Sequence, residues 1–315
     1  MTNESPLAHP QSQSILLTDV ADSRNLRVGL PMWFMQQWRG HLLSADTRSA
    51  DALAQYSRVF NAIEGNTTLY GLPAQERAEA WRQMAAEGFR FSFKIPRSIS
   101  QAGDIAATLK SSPDFHRFMA QMEPVTGLLM LQLPGHFGPR QLPQLAAGLE
   151  ALRSITRVPV AVEVRHPGFF DKSRHEPALL RLLADHHADR VVFDSRGLFA
   201  DISTDPAVQE AQRKKPRFAV HPVATADNPV IRFIGHSDWQ QNRRYLQQWA
   251  GKLRQWIMEG KQPWLFIHTA SNQDAPQFAR WCLAELGITL PPWPGESAPA
   301  AGQAQKDEKT PDLFG

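Results

Sequence analysis

Ionisable and hydrogen-bonding side chains recur near the ends of short apolar runs in this 315-residue chain. Carboxylates and imidazoles can exchange protons with a substrate or hold a divalent cation, and lysine or arginine can bind an anionic group. The sequence has no HExxH motif, so these residue types leave both kinds of chemistry open. The side chains concerned are Glu64, Asn66, Lys94, Gln132, Glu163, Arg165, His166, Asp194, Arg232, His236 and His268.

The apolar runs that carry these residues follow one another at a regular distance. Successive runs start 30 to 40 residues apart, which is the length of a strand, a helix and their loops. Strands that alternate with helices pair in parallel, and eight such units predict a single (β/α)₈ TIM-type barrel. The runs are Arg27–Pro31, Phe60–Glu64, Arg90–Ile95, Gly127–Leu133, Val160–Arg165, Arg190–Asp194, Val230–Ile234 and Trp264–His268.

The segments between the runs have the periodicity of amphipathic helices. Apolar residues recur at intervals of three and four over 115–122, over 142–149 and over 246–257. Such a stripe buries one face of a helix against the outside of a barrel.

Side-chain alternation along the predicted strands indicates which residues face the lumen. In Val160–Arg165 the valines share one face, while Ala161, Glu163 and Arg165 share the other. The helix-covered face of a barrel is dry, so we assign the polar face to the lumen. This reasoning predicts a polar ring near the carboxyl ends of the strands, where barrel enzymes carry their sites.

Several chemistries are open to such a ring. Glu163 and Glu64 are acid–base candidates, with Lys94, Arg165 and Arg232 as an anion clamp. Lys94 is also a Schiff-base candidate if its pKa is depressed. Alternatively, the opposite charges neutralise one another and serve only the fold. A divalent metal is a further option, with candidate ligands Glu64, Glu163, Asp194, His236 and His268.

Composition excludes several other classes of protein. Hydrophobic residues make up 42% of the chain and the net charge is +3, as in ordinary globular proteins. A single cysteine, Cys282, allows no internal disulfide. Neither a signal peptide nor a membrane span is apparent, so we expect a cytoplasmic protein. The sequence has no GxSxG, P-loop or GxGxxG motif.

The ends and one connection differ in composition from the barrel. We expect residues 1–24 to be a flexible extension with a short helix near Ile15–Val20, and 25–290 to be the barrel domain. The Pro- and Ala-rich residues 291–315 predict a disordered tail. The long connection Ser195–Pro229 carries the basic cluster Arg213–Arg217, interpreted as a solvated loop or as a phosphate-contacting patch.

Six sequence blocks resemble the YecE-like family of uncharacterised barrel proteins (domain of unknown function 72). The resemblance implies a barrel related to the sugar-isomerase-like group, without an established reaction. It marks eight residues, namely Glu64, Asn66, Tyr70, Lys94, Gln132, Glu163, Arg165 and His166. The blocks are VGLPMW at 28–33, YSRVFNAIEGNTTLYGLP at 56–73, FRFSFKIPRSIS at 89–100, GLLMLQLPGHFGP at 127–139, VAVEVRHPGFF at 160–170 and VIRFIGH at 230–236.

The last residues suggest a second function. Thr310–Phe314 is similar to the short C-terminal peptides with which bacterial proteins dock on the DNA sliding clamp, although the usual leading Gln is absent. The alternative hypothesis is therefore a non-catalytic accessory protein of DNA metabolism.

The leading hypothesis is an enzyme of the isomerase or hydrolase kind that acts on a polar, sugar-like or anionic small molecule. Its catalytic candidates are Glu64, Glu163, Lys94 and Asp194. Its substrate-binding candidates are Asn66, Tyr70, Gln132, Arg165, His166, Arg232, His236 and His268.

Overall fold

Eight parallel strands form the centre of the molecule in the computed structural model, which describes residues 25–296. Neighbouring strands hydrogen-bond in an order that runs from the first strand through the eighth and then backwards to the second. This arrangement confirms the predicted barrel. The strands are β1 (Arg27–Gly29), β2 (Ala62–Gly65), β3 (Arg90–Lys94), β4 (Thr126–Gln132), β5 (Val160–Glu163), β6 (Ala188–Asp194), β7 (Val230–Ile234) and β8 (Trp264–His268).

Side chains help to close the barrel between β1 and β2. The Asn61 Oδ1 atom accepts a hydrogen bond from the Val28 N–H at 2.7 Å. The Tyr56 hydroxyl accepts from the Leu30 N–H at 2.8 Å and donates to the Ala62 carbonyl at 2.9 Å. The buried Tyr56 and the partly buried Asn61 therefore replace part of the backbone ladder at this junction.

Helices cover the outside of the strands. The three predicted apolar stripes correspond to α5, α6 and α10, whose stripe residues are largely buried, so the helix predictions are confirmed. The α-helices are α1 (Ala52–Tyr56), α2 (Gln75–Met84), α3 (Arg97–Ser100), α4 (Ile105–Lys110), α5 (Pro113–Met122), α6 (Leu142–Ile155), α7 (His175–Asp185), α8 (Arg196–Ala200), α9 (Pro206–Lys214), α10 (Arg243–Met258) and α11 (Ala275–Glu285).

The lumen has its own small apolar core, separate from the large core beneath the helices. Each of its members alternates along a strand with residues of the outer core, as the period of two requires. This layer fills the barrel beneath the strand ends and holds the polar ring at the mouth. Its residues are Ala62, Leu128, Met130, Ala161, Val191, Val230, Trp264 and Phe266.

The long connection after β6 is not simply a solvated loop. It contains α8 and α9, and Leu198, Val208 and Ala211 of these helices pack against Phe193 and Ile234 at the barrel mouth. Burial of this apolar face stabilises the two short helices, which a reading of the Pro-rich, charged sequence missed. The connection therefore covers part of the mouth.

The start of the predicted disordered tail also packs on the barrel. Trp293 is 1% exposed, and Arg280 forms two hydrogen bonds of 2.8 Å with the Glu296 carboxylate. Packing on the barrel therefore continues beyond residue 290, to at least residue 296. Residues 1–24 and 297–315, which include the predicted helix near Ile15–Val20 and the peptide Thr310–Phe314, lie outside the described residues.

Among residues 25–296, no helix is both long and apolar enough to cross a lipid bilayer.

Candidate functional site

Six of the predicted polar residues converge at the carboxyl ends of the strands. Each occupies the lumen-facing parity of its strand, directly above the apolar layer. All six are at most 6% exposed. We call this set the ring; its members are Glu64, Lys94, Gln132, Glu163, Arg232 and His268.

Arg232 lies at the centre of the ring and bridges its two carboxylates. Its Nε atom is 2.6 Å from Glu64 Oε1, and its Nη1 atom donates to Glu163 Oε2 at 2.8 Å. The guanidinium also lies over the Phe193 ring, 5.0 Å from the centroid. One cation from β7 thus fixes the spacing of carboxylates from β2 and β5.

Glu64 is surrounded by cationic and polar neighbours but is not saturated with aligned hydrogen bonds. His268 Nε2 lies 2.8 Å from Glu64 Oε2, and Lys94 Nζ lies 3.7 Å from Oε1. Despite these short distances, neither Glu64 oxygen, nor Arg232 Nε, nor His268 Nε2 has a hydrogen-bond partner in suitable alignment. The Arg232 and His268 contacts with Glu64 are thus close polar contacts with imperfect hydrogen-bond alignment, and both lower the pKa of Glu64.

Arg165 extends the ring toward solvent. Its Nε and Nη2 atoms lie 2.7 and 2.6 Å from Glu163 Oε1. The Arg165 side chain is 30% exposed, whereas that of Glu163 is 2% exposed. The outer face of this guanidinium is thus accessible at the mouth.

Burial and charge together set the protonation states of the acidic and imidazole groups. Burial raises the pKa of Glu163, but Arg232, Arg165 and Lys94 outweigh it and bring this pKa to about 2. The same balance, with Arg232 and His268 as the largest opposing influences, holds the pKa of Glu64 well below its usual range. Burial lowers the pKa of His268 to about 4, although Glu64 opposes this shift. At neutral pH both carboxylates are ionised and the imidazole is uncharged.

Lys94 differs from the other cations of the ring because its pKa lies close to neutral pH. Its ammonium donates to Gln132 Oε1 at 2.6 Å. Burial, followed by the nearby Arg232, lowers the pKa of Lys94 to about 8, even though Glu64 and Glu163 act in the opposite direction. A buried lysine with this pKa can exchange a proton near neutral pH.

A second lysine, Lys215, reaches the mouth from the end of α9. Burial and Arg232 lower its pKa, while Glu64 and Glu163 raise it. The pKa of the half-buried Lys215 therefore depends on the charges of the ring, although Lys215 forms no direct ion pair with any ring residue. The sequence placed Lys215 in the basic cluster but did not connect it with the ring. The connection after β6 begins at the carboxyl face of the barrel, where the ring lies. This position is the signal that could have linked Lys215 to the ring.

The remaining basic cluster does not form a free cationic patch. Arg213 and Lys214 both pair with Glu210 on the exposed side of α9. Arg217 lies over the Phe199 ring, 5.4 Å from its centroid. Of this cluster, Lys215 is the member directed toward the mouth.

Asp194 does not join the ring, so its assignment to the lumen requires correction. Its carboxylate accepts hydrogen bonds from Arg196 and from Trp249 Nε1, the latter at 2.8 Å. The lumen parity of β6 instead carries Val191 and Phe193. Asp194 therefore faces the helix layer and ties β6 to α10.

The two predicted imidazoles outside β8 lie at the rim. His166 Nδ1 accepts from the Gly168 N–H at 3.0 Å and caps a short 3-10 helix. His236 Nδ1 accepts from the Asp238 N–H at 2.9 Å and lies 3.5 Å from Asp201 Oδ2. Both histidines thus order loops around the mouth.

Asn66 and Tyr70 also lie outside the ring. Asn66 Nδ2 donates to the Pro31 carbonyl at 3.0 Å and so ties the loop after β1 to the end of β2. Tyr70 is 75% exposed, with the Arg97 guanidinium 5.8 Å from its ring centroid. Neither side chain contacts the ring in the structure.

The ring is poorly suited to a divalent cation. Within residues 25–296, no three His, Cys, Asp or Glu side chains converge in a metal-binding arrangement. Glu64 and Glu163 face each other across Arg232, whose guanidinium occupies the space a shared cation would need. We therefore assign no step of the chemistry to a metal.

An aromatic cleft of about 650 Å³ adjoins the ring between the loop after β1 and α2. Trp33 packs edge-on against Trp81 with ring centroids 5.0 Å apart, and Met32, Phe34 and Met84 add apolar surface. Glu64 lines the cleft as well as the ring. Sequence patterns do not predict this cleft, because its walls come from a loop and a helix face that are far apart in the chain.

Comparison with known proteins assigns the chain to a family. Residues 27–302 match the family model described as protein of unknown function DUF72. The UPF0759 protein YecE of Escherichia coli strain K12 is 40% identical over 264 residues, which are 84% of this chain and 93% of that protein. The same values hold for YecE of Escherichia coli O157:H7.

Solved structures support the fold at lower identity. A DUF72 family protein from Enterococcus faecalis V583 superposes with a TM-score of 0.64 at 19% identity, covering 85% of this chain and 98% of that one. A DUF72 family protein from Thermotoga maritima MSB8 gives a TM-score of 0.57 at 19% identity, covering 83% and 99%. Together with the sequence match, these results show that the chain belongs to the DUF72 family.

Proposed function

We propose that this protein is an enzyme that binds a small organic oxyanion at the barrel mouth and exchanges a proton with it through Lys94. The observation that carries the proposal is the charge of the mouth. Lys94, Arg165, Arg232 and Lys215 face the two carboxylates Glu64 and Glu163, while His268 is neutral. Cations exceed anions in a partly enclosed space, which favours a negatively charged ligand.

The exposed part of this cationic excess lies where a ligand can reach it. Arg165 is engaged with Glu163 along one side but is 30% exposed on the other. Lys215 is half-buried and close enough to the ring for Arg232, Glu64 and Glu163 to shift its pKa, and among the described residues it has no ion-pair partner. An oxyanion between these two side chains would gain charge-assisted hydrogen bonds without breaking the Arg232 bridge.

Lys94 is better suited to proton transfer than either glutamate. A general base or acid works best when its pKa lies near the working pH. The pKa of Lys94 is lowered to about 8, whereas that of Glu163 is lowered to about 2. In this proposal the neutral amine of Lys94 accepts a proton from the bound substrate, and Arg232 and Arg165 stabilise the negative charge that develops.

Binding is tested with inorganic phosphate and sulfate by calorimetric titration, using two adjacent lysines as a matched pair. Lys215→Ala removes a charge at the mouth and should weaken binding about threefold to tenfold. Lys214→Ala removes the same charge from an exposed side chain paired with Glu210, and affinity should change little. Equal effects of the two substitutions, or no binding by the wild type, would contradict the anion site.

Chemistry is tested by proton exchange, which requires no knowledge of the product. Organic phosphates and hydroxy or keto acids are incubated with the protein in D₂O, and loss of C–H signals is followed by proton NMR. Exchange should increase as pH rises through about 8 and should disappear in Lys94→Met while the ligand still binds. Exchange that survives this substitution would remove Lys94 from the reaction.

A further inference from the structure

We infer that the aromatic cleft binds the body of the same substrate, so that the substrate class is an organic oxyanion with a planar apolar group. This inference rests on the proposed anion site and adds to it the nature of the attached group. The structural basis is the position of Glu64, a fully buried carboxylate that belongs to the ring and also lines the cleft.

The cleft has the size and lining of a small-molecule site. Its volume of about 650 Å³ lies within the range of roughly 300 to 1,000 Å³ that is typical of ligand pockets. Trp33 and Phe34 are half-buried and Trp81 is 8% exposed, so aromatic surface remains accessible in the cleft. Aromatic walls of this kind favour a flat apolar group, which gains stacking or edge contacts in addition to burial.

Two polar features constrain how a ligand can lie. Glu64 is ionised and held by Arg232, His268 and Lys94. The other charged side chains that line the cleft are one carboxylate and one guanidinium, Glu76 and Arg77, so the lining carries no excess negative charge to attract a cation. The adjoining mouth has more cationic than anionic side chains and so carries an excess of positive charge. A ligand that occupies both surfaces would therefore place its anionic end at the mouth and its apolar body along Trp33 and Trp81.

The aromatic pairs fix the walls of the cleft before any ligand binds. Trp33 contacts Trp81 and also packs edge-on against Phe91 with centroids 6.5 Å apart. Trp81 stacks on Phe93 at 6.3 Å. Because the walls are anchored in the core, they do not have to become ordered when a ligand binds. The entropic cost of binding is therefore lower.

The test compares three probes by calorimetric titration of the full-length protein: inorganic phosphate for the anionic end, 1-naphthol for the apolar body and 1-naphthyl phosphate for both. We expect 1-naphthyl phosphate to bind at least about tenfold more tightly than inorganic phosphate, because the naphthyl group becomes buried in the cleft.

A substitution that fills the cleft distinguishes this site from non-specific apolar binding. Ala80 lines the cleft from α2, and Ala80→Phe should remove the tenfold gain while leaving phosphate affinity unchanged. The matched control is Ala147→Phe, at an exposed alanine of α6 that does not line the cleft. It should leave the affinities for all three probes unchanged. Melting curves of both variants establish that they are folded.

The outcomes separate this inference from the proposed function. If phosphate binds but 1-naphthyl phosphate binds no more tightly, or if the gain survives Ala80→Phe, the inference is overturned and the anion site stands. If neither phosphate nor 1-naphthyl phosphate binds, the anion site fails and the inference fails with it. Binding of 1-naphthol alone would likewise overturn the inference, because the substrate would then not be an oxyanion.

Discussion

Glu64 in the lumen is held differently from two buried carboxylates on the outer side of the barrel. The other ring carboxylate, Glu163, resembles the outer pair, because it accepts aligned hydrogen bonds from Arg165 and Arg232. On the outer face, Asp194 and Glu176 accept aligned hydrogen bonds from arginine and from a second donor, Trp249 or His221. In the lumen, Glu64 has short contacts with three neighbours, yet neither of its oxygens has an aligned donor.

This difference identifies Glu64 as the buried carboxylate whose hydrogen-bonding capacity the surrounding protein atoms use least completely. Buried polar groups are normally saturated with hydrogen bonds, and exceptions call for an explanation. The outer groups tie strands to helices and are satisfied by protein atoms. The ring instead combines unaligned buried donors and acceptors with a lysine whose pKa is near 8, at the face where barrel sites lie. The same residue types therefore serve stability on one face and, as we propose, binding on the other.

Removal of an outer carboxylate should produce the largest effect, and only on stability. Asp194→Ala leaves the Arg196 guanidinium and the buried Trp249 N–H without their acceptor, and should lower the free energy of unfolding by about 3–5 kcal/mol. Urea denaturation measures this loss, and sulfate titration of the folded variant should give the wild-type affinity. Glu210→Ala, at an exposed ion pair, is the control and should leave stability nearly unchanged. A loss of sulfate binding in the folded Asp194→Ala variant would show that an outer-face carboxylate also contributes to ligand binding, and would contradict the comparison.

A ring carboxylate should contribute to stability in a pH-dependent way. Because the pKa of Glu163 is lowered to about 2 in the fold, its ionised form stabilises the protein above the pKa of about 4.3 in the unfolded chain. That contribution, about 3 kcal/mol at pH 7, is lost as pH falls through the folded pKa. Glu163→Gln should therefore be less stable than wild type at pH 7, and the difference should shrink to less than about half by pH 3.

Chemical denaturation of Glu163→Gln and wild type at several pH values measures this difference. A gap that stays constant between pH 7 and pH 3 would mean that Glu163 is not ionised in the ring or not stabilised by Arg232.

The smallest effect is expected on ligand affinity as Lys94 loses its proton. Sulfate keeps its charge across this range, so any pH dependence comes from the protein. As pH rises from 7 to 9, Lys94 should lose its charge, and sulfate affinity should fall by about 1 kcal/mol, or about fivefold. Lys94→Met should bind more weakly at pH 7 and show a flat profile. A flat profile in the wild type would place the pKa of Lys94 outside this range.

The sequence allowed much of the fold and part of the ring to be predicted. The spacing of the apolar runs gave the eight strands, and the bounds of β7 and β8 agree with the predicted runs. Alternation along Val160–Arg165 assigned Glu163 to the lumen, where the structure places it. The strand predictions succeeded because the apolar runs are evenly spaced, and the Glu163 assignment succeeded because the charged residues of Val160–Arg165 all lie on one face.

The same reasoning failed for Asp194 because β6 gives no such contrast. The strand, Ala188–Asp194, begins two residues before the predicted run Arg190–Asp194. It is buried along its whole length and carries charged residues at both parities, Asp189 on one and Arg190 and Asp194 on the other. Alternation cannot distinguish the faces when polar groups occupy both. Only the packing of α10, which brings Trp249 to Asp194, shows that this carboxylate faces outward.

The sequence by itself determined the barrel, the family and the residue types available at its mouth, because periodicity and local motifs are properties of the chain. The tertiary structure decided which charges meet. Arg232 joins carboxylates from β2 and β5, Lys215 reaches the mouth through the fold of α8 and α9, and the pKa of Lys94 is lowered by its burial among them. Burial and distance between residues remote in the chain govern electrostatic energies, and only the folded structure fixes them.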